Sequence, residues 1–201
     1  MKSLYESILS STNTGKAPLV RAWLEEHGIK NYTINNKGEI DVDGDVKLTY
    51  KNIKEFPYFI QFGTVKGNFD CKHNNLTSLK GVPREVKGTF DCSRNDLTSL
   101  EGAPKKVGED FDCAHNYITS LKGVPDKIKG SFDCGGNNLE DLKGAPKVVG
   151  GYFSCKNNNL TSLKGAPRVV GGNFWCTYNT AQFSEDDVNK VCKVESKSIW
   201  V

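Results

Sequence analysis

The sequence predicts a β-rich solenoid with a small α/β cap at its N-terminus and a short C-terminal helix. Three observations carry that expectation. Cysteine returns every 21 residues, at Cys71, Cys92, Cys113, Cys134, Cys155 and Cys176. Around each cysteine the chain keeps G-x-F-D-C-x-x-N-x-L-T-S-L-K-G-V/A-P-x-x-V with few changes. Hydrophobic residues make up only 37% of the 201 residues, which suits a thin stack whose coils each bury one inner row. A repeat near 20 residues is one supersecondary unit that must stack on its neighbours to bury its apolar side.

Taken in order, residues 1–12 suit a short amphipathic helix, with Leu4, Tyr5, Ile8 and Leu9 on one side. Ser11-Thr12-Asn13-Thr14-Gly15 breaks it. A second helix fits residues 17–27, where Leu19, Val20, Trp23 and Leu24 keep helical spacing and Gly28 stops it. Tyr32–Ile34 and Glu39–Val42, joined through Asn35-Asn36-Lys37-Gly38, read as a hairpin. Residues 1–43 are thus expected to cap the stack, because a first coil without a cap exposes an apolar end.

The repeat itself is expected over residues 44–183. Val46-Lys47-Leu48 aligns with Phe69-Asp70-Cys71, so the first coil is longer than the rest, and there are about seven coils in all. At roughly 4.8 Å per strand they make a stack about 30 Å long. Residues 184–201 form the closing segment. Ser184-Glu185-Asp186-Asp187 is a capping box before Val188 and Val191, and Ile199-Trp200-Val201 is an apolar tail.

Phe69 and Cys71, and their equivalents in each coil, alternate at period 2 and therefore point inward from one short strand. Two leucine columns, starting at Leu76 and Leu79, close the core, and the column from Val86 lines the back. Asn74, Asn95, Asn116, Asn137, Asn158 and Asn179 are polar yet sit between core positions. Side-chain hydrogen bonds to turn backbone explain such a column. Gly81-x-Pro83 and its equivalents set an extended turn.

F-D-C-x-x-N-x-L-T-S-L resembles the leucine-rich-repeat consensus L-x-L-x-x-N-x-L, with Phe and Cys in two leucine places. The G-x-P segment is similar to the short bacterial subtype, and the Phe- and Cys-rich variant resembles repeats of tailed bacteriophages and bacteria. The resemblance covers residues 44–183. It implies a right-handed coil with parallel strands on a concave face, and a binding scaffold rather than an enzyme. It also implies two further roles: a packaged or structural component of a bacteriophage virion that docks through its N-terminal helices or solenoid ends, and an effector that inhibits a host protein.

Composition excludes several classes. A net charge of +3 is too small to argue for nucleic acid. No stretch approaches 18 apolar residues, so no membrane span is expected. The start has no apolar run of secretory type, and seven cysteines form an odd set, which favours reduced thiols in a host cytoplasm or a virion. No catalytic motif, cofactor motif or metal spacing stands out, and His27, His73 and His115 are too scattered to form a site. The six repeat thiols are expected to pack as small hydrophobes, with Cys192, outside the ladder, as the accessible thiol.

The candidate partner-binding residues lie on the strand face. Asp70, Asp91, Asp112 and Asp133 each fall between inward Phe and Cys, so they face out as a row of like charges. Either they form a groove for a basic peptide, a protein patch or a cation, or they are a solvated face relieved by Lys47, Lys72, His73, Arg94 and His115. Tyr152, Trp175 and Tyr178 bring aromatics to the far end of that face, where they suit interface anchors or packing beneath the closing segment. A basic edge on the turns, including Lys105, Lys106, Lys127 and Lys129, is broken by Glu85, Glu109 and Asp126 and reads as a solubilising face. A protein partner, basic where it meets the acid row, is the expectation.

Overall fold

The computed structural model describes residues 15–196 and 198–201. The helix expected over residues 1–12 lies outside the described residues. The second expected helix is α1, Lys16–Glu26. Its buried side carries Leu19, Val20, Ala22, Trp23 and Leu24. Gly28, at φ +68°, turns the chain out of it, a left-handed conformation that glycine adopts without steric cost. The hairpin follows as β1 (Tyr32–Ile34) and β2 (Ile40–Val42), paired antiparallel. Trp23 closes the N-terminal end of the core, with its ring 6.0 Å from Phe56 and 6.4 Å from Phe62.

The rest is a parallel-strand solenoid. Its front sheet has eight strands: β3 (Val46–Lys47), β5 (Phe69–Asp70), β7 (Phe90–Asp91), β9 (Phe111–Asp112), β11 (Phe132–Asp133), β13 (Phe153–Ser154), β15 (Phe174–Trp175) and β17 (Ile199–Trp200). All pair parallel with equivalent repeat positions opposite one another, as in Phe90↔Phe111 and Asp91↔Asp112. A back sheet comes in two pieces. The first holds β1, β2, β4 (Phe62–Val65), β6 (Glu85–Val86) and β8 (Lys106–Val107). The second holds β10 (Lys127–Ile128), β12 (Val148–Val149), β14 (Val169–Val170) and β16 (Lys193–Val194). Val86, Val107 and Ile128 keep the 21-residue spacing across the break, so it is not a change of register.

The core between the sheets is built from columns. Phe69, Phe90, Phe111, Phe132, Phe153 and Phe174 are fully buried, with neighbouring rings 5.1–5.9 Å apart. That spacing lies in the favourable range for aromatic pairs. The thiols of Cys71, Cys113, Cys134 and Cys155 donate to the carbonyl oxygen of the next coil at 3.2–3.5 Å.

The asparagine column ties one coil to the next. Asn95 Oδ1 accepts the Leu76 N–H at 3.0 Å, and Asn95 Nδ2 donates to the carbonyls of Cys71 (3.1 Å) and Cys92 (3.0 Å). Asn116, Asn137 and Asn158 repeat the same three bonds. The sequence expectation of an amide bonded to turn backbone holds, with the addition that each amide serves two coils.

Two expectations change. The stack has eight front strands rather than seven. The closing helix α2 (Glu185–Val191), capped by Ser184 and Asp187 as expected, is an insertion, after which β16 and β17 complete one more coil. Ile199 stands 25 residues after Phe174, and the longer spacing hid it. Cys192 is not the accessible thiol: it is buried at 3% exposure, and all seven free cysteines are buried. Burial pushes the Cys192 thiol up to about 11.

Candidate functional site

The front sheet turns one row of side chains outward between the inward Phe and Cys columns. In order the row reads Lys47, Asp70, Asp91, Asp112, Asp133, Ser154, Trp175 and Trp200, each in register with the next. Strand spacing therefore sets neighbouring carboxylates roughly 4.8 Å apart at the backbone. All four aspartates are half-buried.

The row has a local task that the sequence reading did not foresee. Each aspartate uses Oδ1 to accept the N–H two residues on: Lys72 at 3.1 Å, Ser93 at 3.0 Å, Ala114 at 2.9 Å and Gly135 at 2.8 Å. The signal was available, because Asp and Asn are the residues that close such turns. The bond needs one oxygen and no charge. Asparagine offers the same acceptor, and the coils of Ser154 and Trp175 continue without it.

Just past this turn the chain passes through a left-handed residue in coil after coil: Tyr50, His73, Arg94, His115, Gly136, Asn157 and Tyr178, with φ between 52° and 65°. Gly136 favours it, and Asn157, His73 and His115 are enriched there, but Tyr50, Arg94 and Tyr178 are not, so the column was not legible beforehand. It sets these side chains along the edge of the front face. Tyr50 stacks on His73 at 4.4 Å. Tyr178 is 81% exposed, on this edge rather than in the acid row.

The charges of the row are balanced unevenly. Lys72 Nζ lies 3.2 Å from Asp70 Oδ2 and 3.0 Å from Asp91 Oδ2, bridging one carboxylate pair. The bond to Asp91 is the main reason its ammonium holds its proton more tightly than usual. Lys47 pairs instead with Asp45 at 3.8 Å. Among the described residues, Asp112 and Asp133 have no ion pair. Burial, reinforced by the Asp91 and Asp133 carboxylates, pushes the Asp112 carboxyl up to about 7, against the pull of the Ala114 N–H and Lys72. His115, beside it, is lowered by burial and then by Arg94.

At the far end Tyr152 and Trp175 stack at 4.8 Å, and Lys156 Nζ lies 5.9 Å above the Trp175 ring. Burial and then the nearby aspartates push the Tyr152 hydroxyl up to about 12. Ser154 lies between the acids and the aromatics. It is fully buried, and its Oγ has no hydrogen-bond partner. The structure thus brings Asp112, Asp133, Tyr152 and Trp175 into one patch around Ser154. Asp70 and Asp91 lie further along the row with their own cation.

Among the described residues no group of three or more His, Cys, Asp or Glu is arranged to hold a metal ion. No helix there is long and apolar enough to cross a membrane. A recess of about 810 Å³, lined by Val191, Cys192, Val194 and Ile199 among others, opens at the last coil, away from the acid row. Comparisons with protein-family models, curated proteins and solved structures return no match.

Proposed function

We propose that the chain is a non-catalytic binding scaffold of the leucine-rich-repeat kind, which takes a protein partner across its front sheet. One observation carries the reading. Asp112 and Asp133 are acidic residues in adjacent, in-register coils that form no ion pair among the described residues, and neither the core nor the turn bond requires the charge. Like charges directly opposite destabilise a sheet, so a row that keeps them favours a basic partner surface. Tyr152 and Trp175 add the aromatic anchors that interfaces favour. The rigid stack presents these side chains on a regular grid, so binding loses little conformational entropy.

The test places a photo-crosslinking amino acid at Ser131, on the front face, or at Lys127, on the back, and irradiates each in lysate of the cells that make the protein. One dominant adduct from position 131 that is missing from position 127 is the expected outcome. Matching adduct patterns from both positions would overturn the reading.

A further inference from the structure

The acid row contains its own worked example of cation binding. Lys72 follows Asp70 by two residues, and its ammonium reaches the outer oxygens of Asp70 and Asp91 in adjacent coils at 3.2 and 3.0 Å. Asp112 and Asp133 form a second adjacent pair with the same register and the same turn bond on Oδ1. The residue two after Asp112 is Ala114, and two after Asp133 is Gly135. Neither has a side chain that can reach the pair. Lys156, two after Ser154, lies over the Trp175 ring instead.

A second, independent feature marks the same place. Strand alternation puts Ser154 on the outer side, in register with Asp133. Its hydroxyl is buried and has no partner. Such a group in a folded protein is costly unless something completes it.

We propose that Asp112 and Asp133 form an ammonium site that receives a lysine side chain of the protein partner, in the position that Lys72 fills at the neighbouring pair. This rests on the front sheet being the binding face. The lysine ammonium bridges the two outer carboxylate oxygens, with Ser154 next in the row, and the Tyr152–Trp175 pair lies alongside for an apolar neighbour of that lysine. A metal ion fits less well. Each carboxylate has one oxygen already committed to a backbone N–H, and among the described residues no third acidic, histidine or cysteine ligand joins them. The Asp112 carboxyl is raised first by burial and then by Asp91 and Asp133, and an entering cation offsets the second of these.

The test uses the full chain and two synthetic heptapeptides, one with a central lysine and one with that lysine acetylated on Nζ. Binding is followed by tryptophan fluorescence, and the Asp112 carboxyl is titrated by NMR. The lysine peptide is expected to bind at least tenfold more tightly than the acetylated one and to lower the Asp112 pKa from about 7. Asp112→Asn with Asp133→Asn keeps the turn bonds and is expected to abolish the discrimination. Ala114→Lys supplies the cation from within, as Lys72 does, so it lowers the Asp112 pKa without peptide and blocks binding. Ala114→Gln fills similar space without charge and leaves that pKa high. Equal affinity for the two peptides, or an Ala114→Lys protein that binds as the parent does, would overturn the site. Front-face crosslinks at position 131 that persist in that case leave the scaffold reading standing, and their loss removes both.

Discussion

At Asn116 a single amide satisfies three main-chain groups from two coils: the Leu97 N–H and the carbonyls of Cys92 and Cys113. Buried main-chain groups left without partners each cost about 1–3 kcal/mol. Asn116→Leu therefore lowers stability by about 3 kcal/mol or more, although it adds apolar volume. Asn138→Ala, at an exposed position in the next coil, changes it by less than about 0.5 kcal/mol. Denaturant unfolding of both variants decides, and an Asn116→Leu protein as stable as the parent would remove the amide ladder as an organising device. This part of the fold was legible because a polar residue between apolar columns has few physical explanations. The left-handed column beside it was not legible. Tyr50, Arg94 and Tyr178 carry no side-chain preference for positive φ, and the conformation is imposed by the turns of the stacked coils rather than by those residues.

The front sheet adds a property that no single aspartate has. In register with its neighbours, the Asp112 carboxyl is held high, first by burial and then by Asp91 and Asp133. A carboxyl held above its unfolded value favours the folded state when protonated. Its contribution is fully present below about pH 4 and is lost as pH rises through about 7. Asp112→Asn keeps the bond to the Ala114 N–H and removes the titration. The variant is expected to match the parent near pH 4 and to exceed it at pH 8, by on the order of 1–3 kcal/mol. Thermal unfolding at the two pH values is the check, and a difference that does not change with pH would show that the row carries no strain. The alternation of Phe, Asp and Cys made the outward direction of this row readable. The turn bond beneath it was not readable from that alternation, because an outward aspartate has the same place in the pattern whether or not one of its oxygens accepts a backbone N–H. The eighth strand was missed because helix α2 lengthens the final spacing and places Ile199 and Trp200 where Phe and Asp stood before.

As a whole the molecule is close to one-dimensional, since each coil contacts mainly the coils beside it. Removal of one whole period therefore preserves every column, whereas removal of 20 or 22 residues turns the inner set outward, because strand side chains alternate with period 2. Two deletions of equal length then separate fold from site. Deleting residues 72–92 joins Cys71 to Ser93. It removes Lys72 and Asp91 but leaves Asp112 beside Asp133. Deleting residues 114–134 joins Cys113 to Gly135. It keeps Lys72 between Asp70 and Asp91 but sets Asp112 beside Ser154. Both proteins are expected to fold as shorter stacks with cooperative unfolding. Only the first is expected to keep the preference for the lysine peptide over its acetylated form. Circular dichroism establishes the fold, and the fluorescence titration reads the site. If the second deletion protein folds and still discriminates, the lysine is held elsewhere on the stack. If neither folds while the parent does, the coils are not interchangeable units, and the end caps, with Trp23 at one end and β17 at the other, fix the number of coils between them.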